Sequence, residues 1–195
     1  MHLLATTSGV IDGAAEAVDL NQTTADIVVL TAADSEIASL ARAYNAAGGL
    51  SLRLANLLQL QHNLSVDLYA EKTLGHARLI VLRLLGGASY WSYGLDQVEA
   101  LARARNIKLA ILPGDANADP ELMARSTVPA ADCDRLHRYL AIGGERNAKA
   151  FLAYCRHLLQ GTPAPDLAAP LPKAGIYRDD AKAGQPTAAI IFYRS

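Results

Sequence analysis

Aromatic side chains are scarce in this chain: they make up 6% of it, with one tryptophan and two phenylalanines among 195 residues. Cysteine is scarcer still, limited to Cys133 and Cys155. One disulfide is a thin framework for a chain of this length, so reduced and buried thiols are expected. Neither sign of charge is in surplus. There are 18 basic and 19 acidic residues, a formal net charge of -1, and no block of like charges. That balance excludes the electrostatic footprint of a nucleic-acid binder, which needs a basic excess to meet phosphates. Long apolar runs are missing too. The richest stretch, LIVLRLLGG, is interrupted by Arg83 and stopped by a glycine pair, so no membrane span is expected. The start, MHLLATTSGVIDGAA, has no basic n-region, and its apolar run is too short for a signal peptide. The expected compartment is the cytoplasm. Several sequence motifs are also absent: GxxxxGK[ST], a GxGxxG after a strand, GxSxG and HExxH. Familiar nucleotide binding and serine or zinc hydrolase chemistry are therefore not expected.

What is present is ample apolar material. Hydrophobic residues make up 51% and charged residues 19%, enough for a sizeable core. Short β-branched runs alternate with helical patterns, the signature of βαβ units. Strands are expected at HLLATT (2–7), DIVVLTAA (26–33), RLIVLRLL (78–85) and KLAILPGD (108–115). Compact apolar runs of this kind belong to parallel sheets buried on both faces. The segment 50–60 reads equally as strand or helix. Asp34 stands where a helix N-cap would, with Gly48-Gly49 closing that helix. Ser65 reads as the cap of a helix to about Leu74, and another helix spans about Tyr93 to Arg105. Asp119-Pro120-Glu121 opens a short helix with a cap, a first-turn proline and an acid near the positive helix end. Two more helices follow, at 130–142 and 144–160.

The expected fold is α/β: an open, mostly parallel sheet with flanking helices, Rossmann or flavodoxin-like, with a C-terminal helical pair and a final strand. The expected division is an α/β domain over 1–160 and a Pro-rich linker or surface excursion over 161–186. A last strand over 187–195 would begin a following domain. A strand with no following helix reads as a cut inside a longer protein.

The most suggestive segment is LLGGASYWSYG (84–94). In an open parallel sheet, ligands bind outside the carboxyl ends of the strands. Here Gly86 and Gly87 allow a sharp turn, and Ser89, Tyr90, Trp91 and Tyr93 follow closely. Tyr and Trp pair a large apolar face with a polar edge, which suits flat ligands and partner surfaces. An ordinary strand–helix turn with rings capping the core accounts for the same pattern, and an interface is favoured over direct ligand contact. The neighbouring loop LPGDANADPEL (112–122) adds Gly114 and Asp115 as contact candidates. Asp115, Asp119 and Glu121 match no calcium loop, and capping explains Asp119. Cys133 and His137 share a helix face at a spacing that suits metal, but no third ligand is near. Cys155 and His157 point in different directions. No metal ligand and no catalytic residue is assigned. In the last helix, Phe151, Leu152, Tyr154, Cys155, Leu158 and Leu159 form an apolar stripe, read as core or interface.

At these residues a family becomes recognisable. The runs RLLGGASYWSYGLDQVEALAR, LAILPGDANADPELMARSTVP and YLAIGGERNAKAFLAYC, with the closing PLPKAGIY and AAIIFYRS, resemble the N-terminal part of the CobN-type large subunit of cobaltochelatase. That family is similar to the large subunit of magnesium chelatase. The resemblance runs from Met1 to Ser195 and implies an enzyme of aerobic cobalamin biosynthesis. It would insert Co2+ into hydrogenobyrinic acid a,c-diamide, a corrin, at the expense of ATP hydrolysis. It also implies three kinds of partner: the remainder of the large subunit, an AAA+ ATPase subunit and that ATPase's companion. Cobalt and ATP/Mg are used by the parent complex, and no cofactor is expected within this segment, in keeping with its missing phosphate loop. The family's suspected acid and histidine residues lie beyond this segment, so none is carried over. Residues 86–94 and 113–115 are expected to frame a corrin cleft or to pack against the rest of the subunit. The alternative is a stand-alone flavodoxin-like module that binds a small molecule or docks a protein.

Overall fold

The computed structural model describes residues 16–171. The strands expected at 2–7 and 187–195 lie outside that range. Four parallel strands form the sheet: β1 (Ile27–Thr31), β2 (Leu52–Asn56), β3 (Leu79–Leu84) and β4 (Lys108–Pro113), in the order β2-β1-β3-β4. Every residue of β1 and β3 is buried, as their unbroken apolar runs require for central strands. The half-buried pattern of β2 suits an edge. Register is continuous across the sheet, with Leu30 opposite Leu82 and Arg83 opposite Leu112.

Alternate side chains along each strand point to opposite faces, so two cores form. On one face Val29, Val81 and Ala110 pack with Leu40, Leu136, Tyr139 and Phe151. These come from α1 (Asp34–Ala47), α5 (Ala130–Ile142) and α6 (Glu145–Gln160). On the other face Val28, Leu30, Ile80, Leu82 and Ile111 pack with Val66, Leu95 and Val98. Those belong to α2 (Asn63–Lys72) and α3 (Ser92–Ala104). The result is a doubly wound three-layer unit, as the alternation of patterns predicts.

Local details differ from expectation at two helix starts. Asp34 is the first helical residue rather than the cap; Ala33 takes the cap position, and the Asp34 carboxylate accepts from Asn56 Nδ2 at 2.7 Å. Ser65 is not a cap either. His62 caps α2 by accepting from Leu64 N–H through Nδ1, and Ser65, buried one turn later, accepts from Val18 N–H. The ambiguous stretch 50–60 holds both structures in succession, β2 and then a tight helical turn over Leu57–Leu60. Asp119 does cap α4 (Pro120–Met123), accepting from Leu122 N–H at 2.9 Å.

The outer edge of β4 is covered. Leu109 N–H donates to Thr127 Oγ1 at 2.7 Å, Ile111 N–H donates to Ser126 Oγ at 2.8 Å, and Thr127 N–H returns a bond to the Leu109 carbonyl. Residues 126–128 thus occupy the groups another strand would use. The described part of the Pro-rich stretch lies along α5 and α6. Asn147, 1% exposed, pairs with Ala169 by two bonds of 2.8 Å, and Tyr139 Oη donates to the Asp166 carbonyl at 2.6 Å.

Candidate functional site at the carboxyl ends of the strands

Strand order reverses between β1 and β3, and in open α/β sheets this switch point opens the crevice that receives ligands. Here three of the chain's own side chains fill it. Arg83, next to last in β3, is 5% exposed. Its guanidinium pairs with Glu36 of α1, whose carboxylate also accepts from Thr31 Oγ1 at 2.8 Å. The rest of the guanidinium fork turns the other way: Nε donates to the Pro113 carbonyl at 3.1 Å and Nη2 to the Gly114 carbonyl at 2.9 Å. Burial pulls the Arg83 pKa down to about 10, and the Asp115 carboxylate opposes that shift. The group therefore stays cationic at neutral pH.

Beside this plug lies an open cleft of about 650 Å³ between the loops that leave β3 and β4. Gly86 and Gly87 form one wall, with φ of 89° and 76° that only glycine adopts freely. Pro113, Asp115, Asn117 and Asp119 form the other. Gly114 sits between the walls, its N–H donating to the Leu84 carbonyl at 2.7 Å. A Cβ on Gly114 would lie 2.6 Å from the Leu85 backbone. Gly114→Ala is therefore expected to cost about 1–3 kcal/mol, as overpacking against an unyielding neighbour does. Urea titration checks it, and an unchanged midpoint would show that the two loops part freely. Asp115 is exposed; its Oδ1 accepts from Asn117 N–H at 2.8 Å, and its carbonyl is held 2.9 Å from His137 Nε2.

The contact candidates thus separate into groups. Gly86, Gly87 and Asp115 line the cleft. Ser89 and Tyr90 are exposed beside it, Tyr90 at 49%, with Leu85 on the same loop at 56%. Trp91 is 7% exposed and donates its indole N–H to the Leu60 carbonyl at 2.7 Å, tying the β3 loop to the turn after β2. Tyr93 is half-buried and donates its hydroxyl to Asp67 at 2.7 Å, which pushes its pKa up.

Thr31, Glu36, Arg83 and His137 carry the geometry of this corner, and no sequence motif marks them for it. Arg83 left a signal: a lone arginine inside a buried strand must find a carboxylate and carbonyl partners. The spacing of His137 from Cys133 suggests a metal pair rather than this role. Both are buried, and the imidazole is engaged with the Asp115 carbonyl. Among the described residues no three His, Cys, Asp or Glu side chains gather to hold a metal ion. Both cysteines are buried free thiols whose pKa values burial pushes up, most strongly at Cys155. No helix among the described residues is long and apolar enough to cross a membrane.

Fold and cleft together define a doubly wound parallel α/β unit with an open cleft at the carboxyl edge of its sheet. No protein-family profile matches the chain. It is 49% identical over 178 residues to the aerobic cobaltochelatase subunit CobN of a Sinorhizobium species, an alignment that covers 91% of this chain and 14% of that protein. It is 41% identical over its whole length to the aerobic cobaltochelatase subunit CobN of Pseudomonas aeruginosa, covering 17% of that protein. Among solved structures, the catalytic subunit of cobaltochelatase from Mycobacterium tuberculosis matches 84% of this chain and 12% of its own, at 30% identity and a TM-score of 0.63. The chain belongs to the CobN-type cobaltochelatase large-subunit family. It spans about one sixth or less of the length of these relatives.

Proposed function

We propose that this chain is a scaffold portion of the cobalt-inserting large subunit of an ATP-dependent cobaltochelatase of aerobic cobalamin biosynthesis. The parent assembly would place Co2+ in hydrogenobyrinic acid a,c-diamide. That reaction must strip water from the cobalt ion and deprotonate ring nitrogens, tasks that call for metal ligands and a poised base. This chain's part is to present the cleft between residues 84–87 and 113–122 to the corrin or to the rest of the subunit. ATP and Mg would be handled by an AAA+ subunit and its companion, in the cytoplasm. The observation that carries the reading is 49% identity to a CobN subunit across 91% of the chain.

The test is a cobalt-insertion assay followed by the absorption change of the corrin. The isolated chain is expected to give no insertion and no ATP hydrolysis, while a full-length large subunit with its ATPase partners gives both. Insertion by the isolated chain would sink the proposal. A second reading, a self-contained flavodoxin-like binding or docking module, draws on two observations. The strand order 2-1-3-4 begins the flavodoxin order, and residues 126–128 cover one sheet edge. Saturable heat on titrating corrinoids or porphyrins into the chain would favour it.

A further inference from the structure

Charge is sorted to opposite ends of this unit, although the chain's formal net charge is only -1. The loops that leave the strands, 32–35, 57–62, 85–91 and 114–121, hold Asp34, Asp115, Asp119 and Glu121 and no lysine or arginine. The turns at the other end, 72–78 and 103–108, hold Lys72, Arg78, Arg103, Arg105 and Lys108 and no carboxylate. Arg83 is buried against Glu36, and Arg125, which follows α4, is taken by Asp96 and Glu99. Neither is free to meet a carboxylate brought from outside. Large apolar side chains are bared at the acidic end as well. Leu58, Leu64, Leu85 and Tyr90 are 49–56% exposed, and among the described residues no large exposed apolar side chain lies in the turns 72–78 and 103–108. Tyr90 lies over Gly86, 3.6 Å from where a Cβ would stand, and the Trp91 bond to the Leu60 carbonyl brings the turn bearing Leu58 to the same rim. An apolar patch rimmed by charge marks an interaction surface.

We propose that this end of the sheet docks a segment from the remainder of the same large-subunit polypeptide. That segment sets an arginine or lysine into the cleft beside Asp115 and Glu121, both of which line it, and lays apolar side chains on Leu58, Leu85 and Tyr90. Charge decides against the corrin as occupant. Hydrogenobyrinic acid a,c-diamide is a carboxylic acid with only two of its side chains amidated, so it would bring further carboxylates to an edge without a free cation. Like charges placed face to face reject a partner. A cationic segment suits both halves of the face, because a lysine or arginine keeps its head with the carboxylates while its stem covers apolar surface. The relatives extend well beyond this chain, whose alignments cover 14 and 17% of them. A covalently attached segment meets the face at high effective concentration, so a few anchors suffice to hold it.

The inference rests on the proposed reading of the chain as a portion of a large subunit, and one experiment tests the two apart. The photoreactive residue benzoylphenylalanine replaces Tyr90 in a full-length large subunit. The protein is irradiated alone, then with its ATPase partners and the corrin, and the coupled peptides are identified by mass spectrometry. An intrachain link to a lysine- or arginine-bearing peptide is expected from the large subunit alone, unchanged when the others are added. Asp115→Lys with Glu121→Lys should cut its yield at least fivefold while leaving the melting temperature of the 195-residue chain within a few degrees, since both side chains are exposed. Asp134→Lys with Glu145→Lys, on α5 and α6, shifts the net charge equally and should leave the yield as it is. A link to the corrin, to an ATPase subunit or to a second copy would overturn the inference. So would no link, or a yield that the reversal at Asp115 and Glu121 does not touch. Cobalt insertion is followed in the same protein with Tyr90 intact. Insertion without the intrachain link would sink the docking and leave the proposed activity standing, and the link without insertion would do the reverse.

Discussion

Glu36→Ala is expected to destabilise the folded chain by about 3–5 kcal/mol, because it removes the carboxylate paired directly with the buried Arg83 guanidinium and leaves only the exposed Asp115 carboxylate to act on that charge. The two groups are not equally enclosed. Arg83 is 5% exposed at its side chain and Glu36 19%, which places the expected loss at the lower end of that range. Thr31 Oγ1 would also lose its acceptor. The charge itself, rather than the missing contact, causes most of the loss. A Glu36→Leu/Arg83→Met double variant should therefore lose less than Glu36→Ala alone, since apolar pairs of similar volume often replace buried ion pairs at little cost. Urea unfolding of the two variants measures the difference. If Glu36→Ala cost less than about 1 kcal/mol, water would be reaching the guanidinium and the switch point would be open. The Lys149–Glu145 pair on the outside of α6 is the control. Both its side chains are well exposed, and Glu145→Ala should leave the unfolding midpoint where it is.

Phe151→Ala is the second large effect, expected to cost about 3–5 kcal/mol. Phe151 is fully buried in the cluster that joins α1, α5 and α6 to the sheet. The neighbouring rings in that cluster, Tyr139 and Tyr154, are tied by their hydroxyls to the Asp166 carbonyl and to Asp132, which limits how far they can move into the space. Domains of this size are stable by about 5–15 kcal/mol, so one truncation removes a large share. Phe151→Leu fills most of the volume and should cost about 1.5 kcal/mol or less. The ratio between the two variants, read by urea titration, separates cavity formation from a general loosening of α5 and α6 against the sheet. Equal losses would argue for loosening.

The layers of this fold were legible because its strands are buried on both faces. IVVLT and LIVLRL carry no polar alternation, and such runs fit only the centre of a sheet covered by helices. Helix starts were less legible. Asp34 and Ser65 have cap chemistry, but each found a tertiary partner, Asn56 and the Val18 amide, and the caps fell to Ala33 and His62. Within the site, the loops after β3 and β4 could be placed from Gly86-Gly87 and Pro113-Gly114 alone. What holds them could not, because Arg83, Glu36 and His137 are separated by 47 and 54 positions and meet only once the sheet forms. Trp91 shows the opposite ambiguity. A tryptophan after a glycine turn suits contact or core equally well, and its indole bond to Leu60 puts it in the core.

The bond from Tyr139 to Asp166 has a mechanical consequence. Tyr139 lies two residues from His137 on the same helix, so α5 holds the stretch 162–171 through Arg135 and Tyr139, on the Pro165 and Asp166 carbonyls, and the Asp115 carbonyl through His137. Tension on the chain at Leu171 would load the Asn147–Ala169 pair and Tyr139 first, then reach the 113–115 backbone by rocking α5. The sheet, gripped on both faces, would serve as the fulcrum.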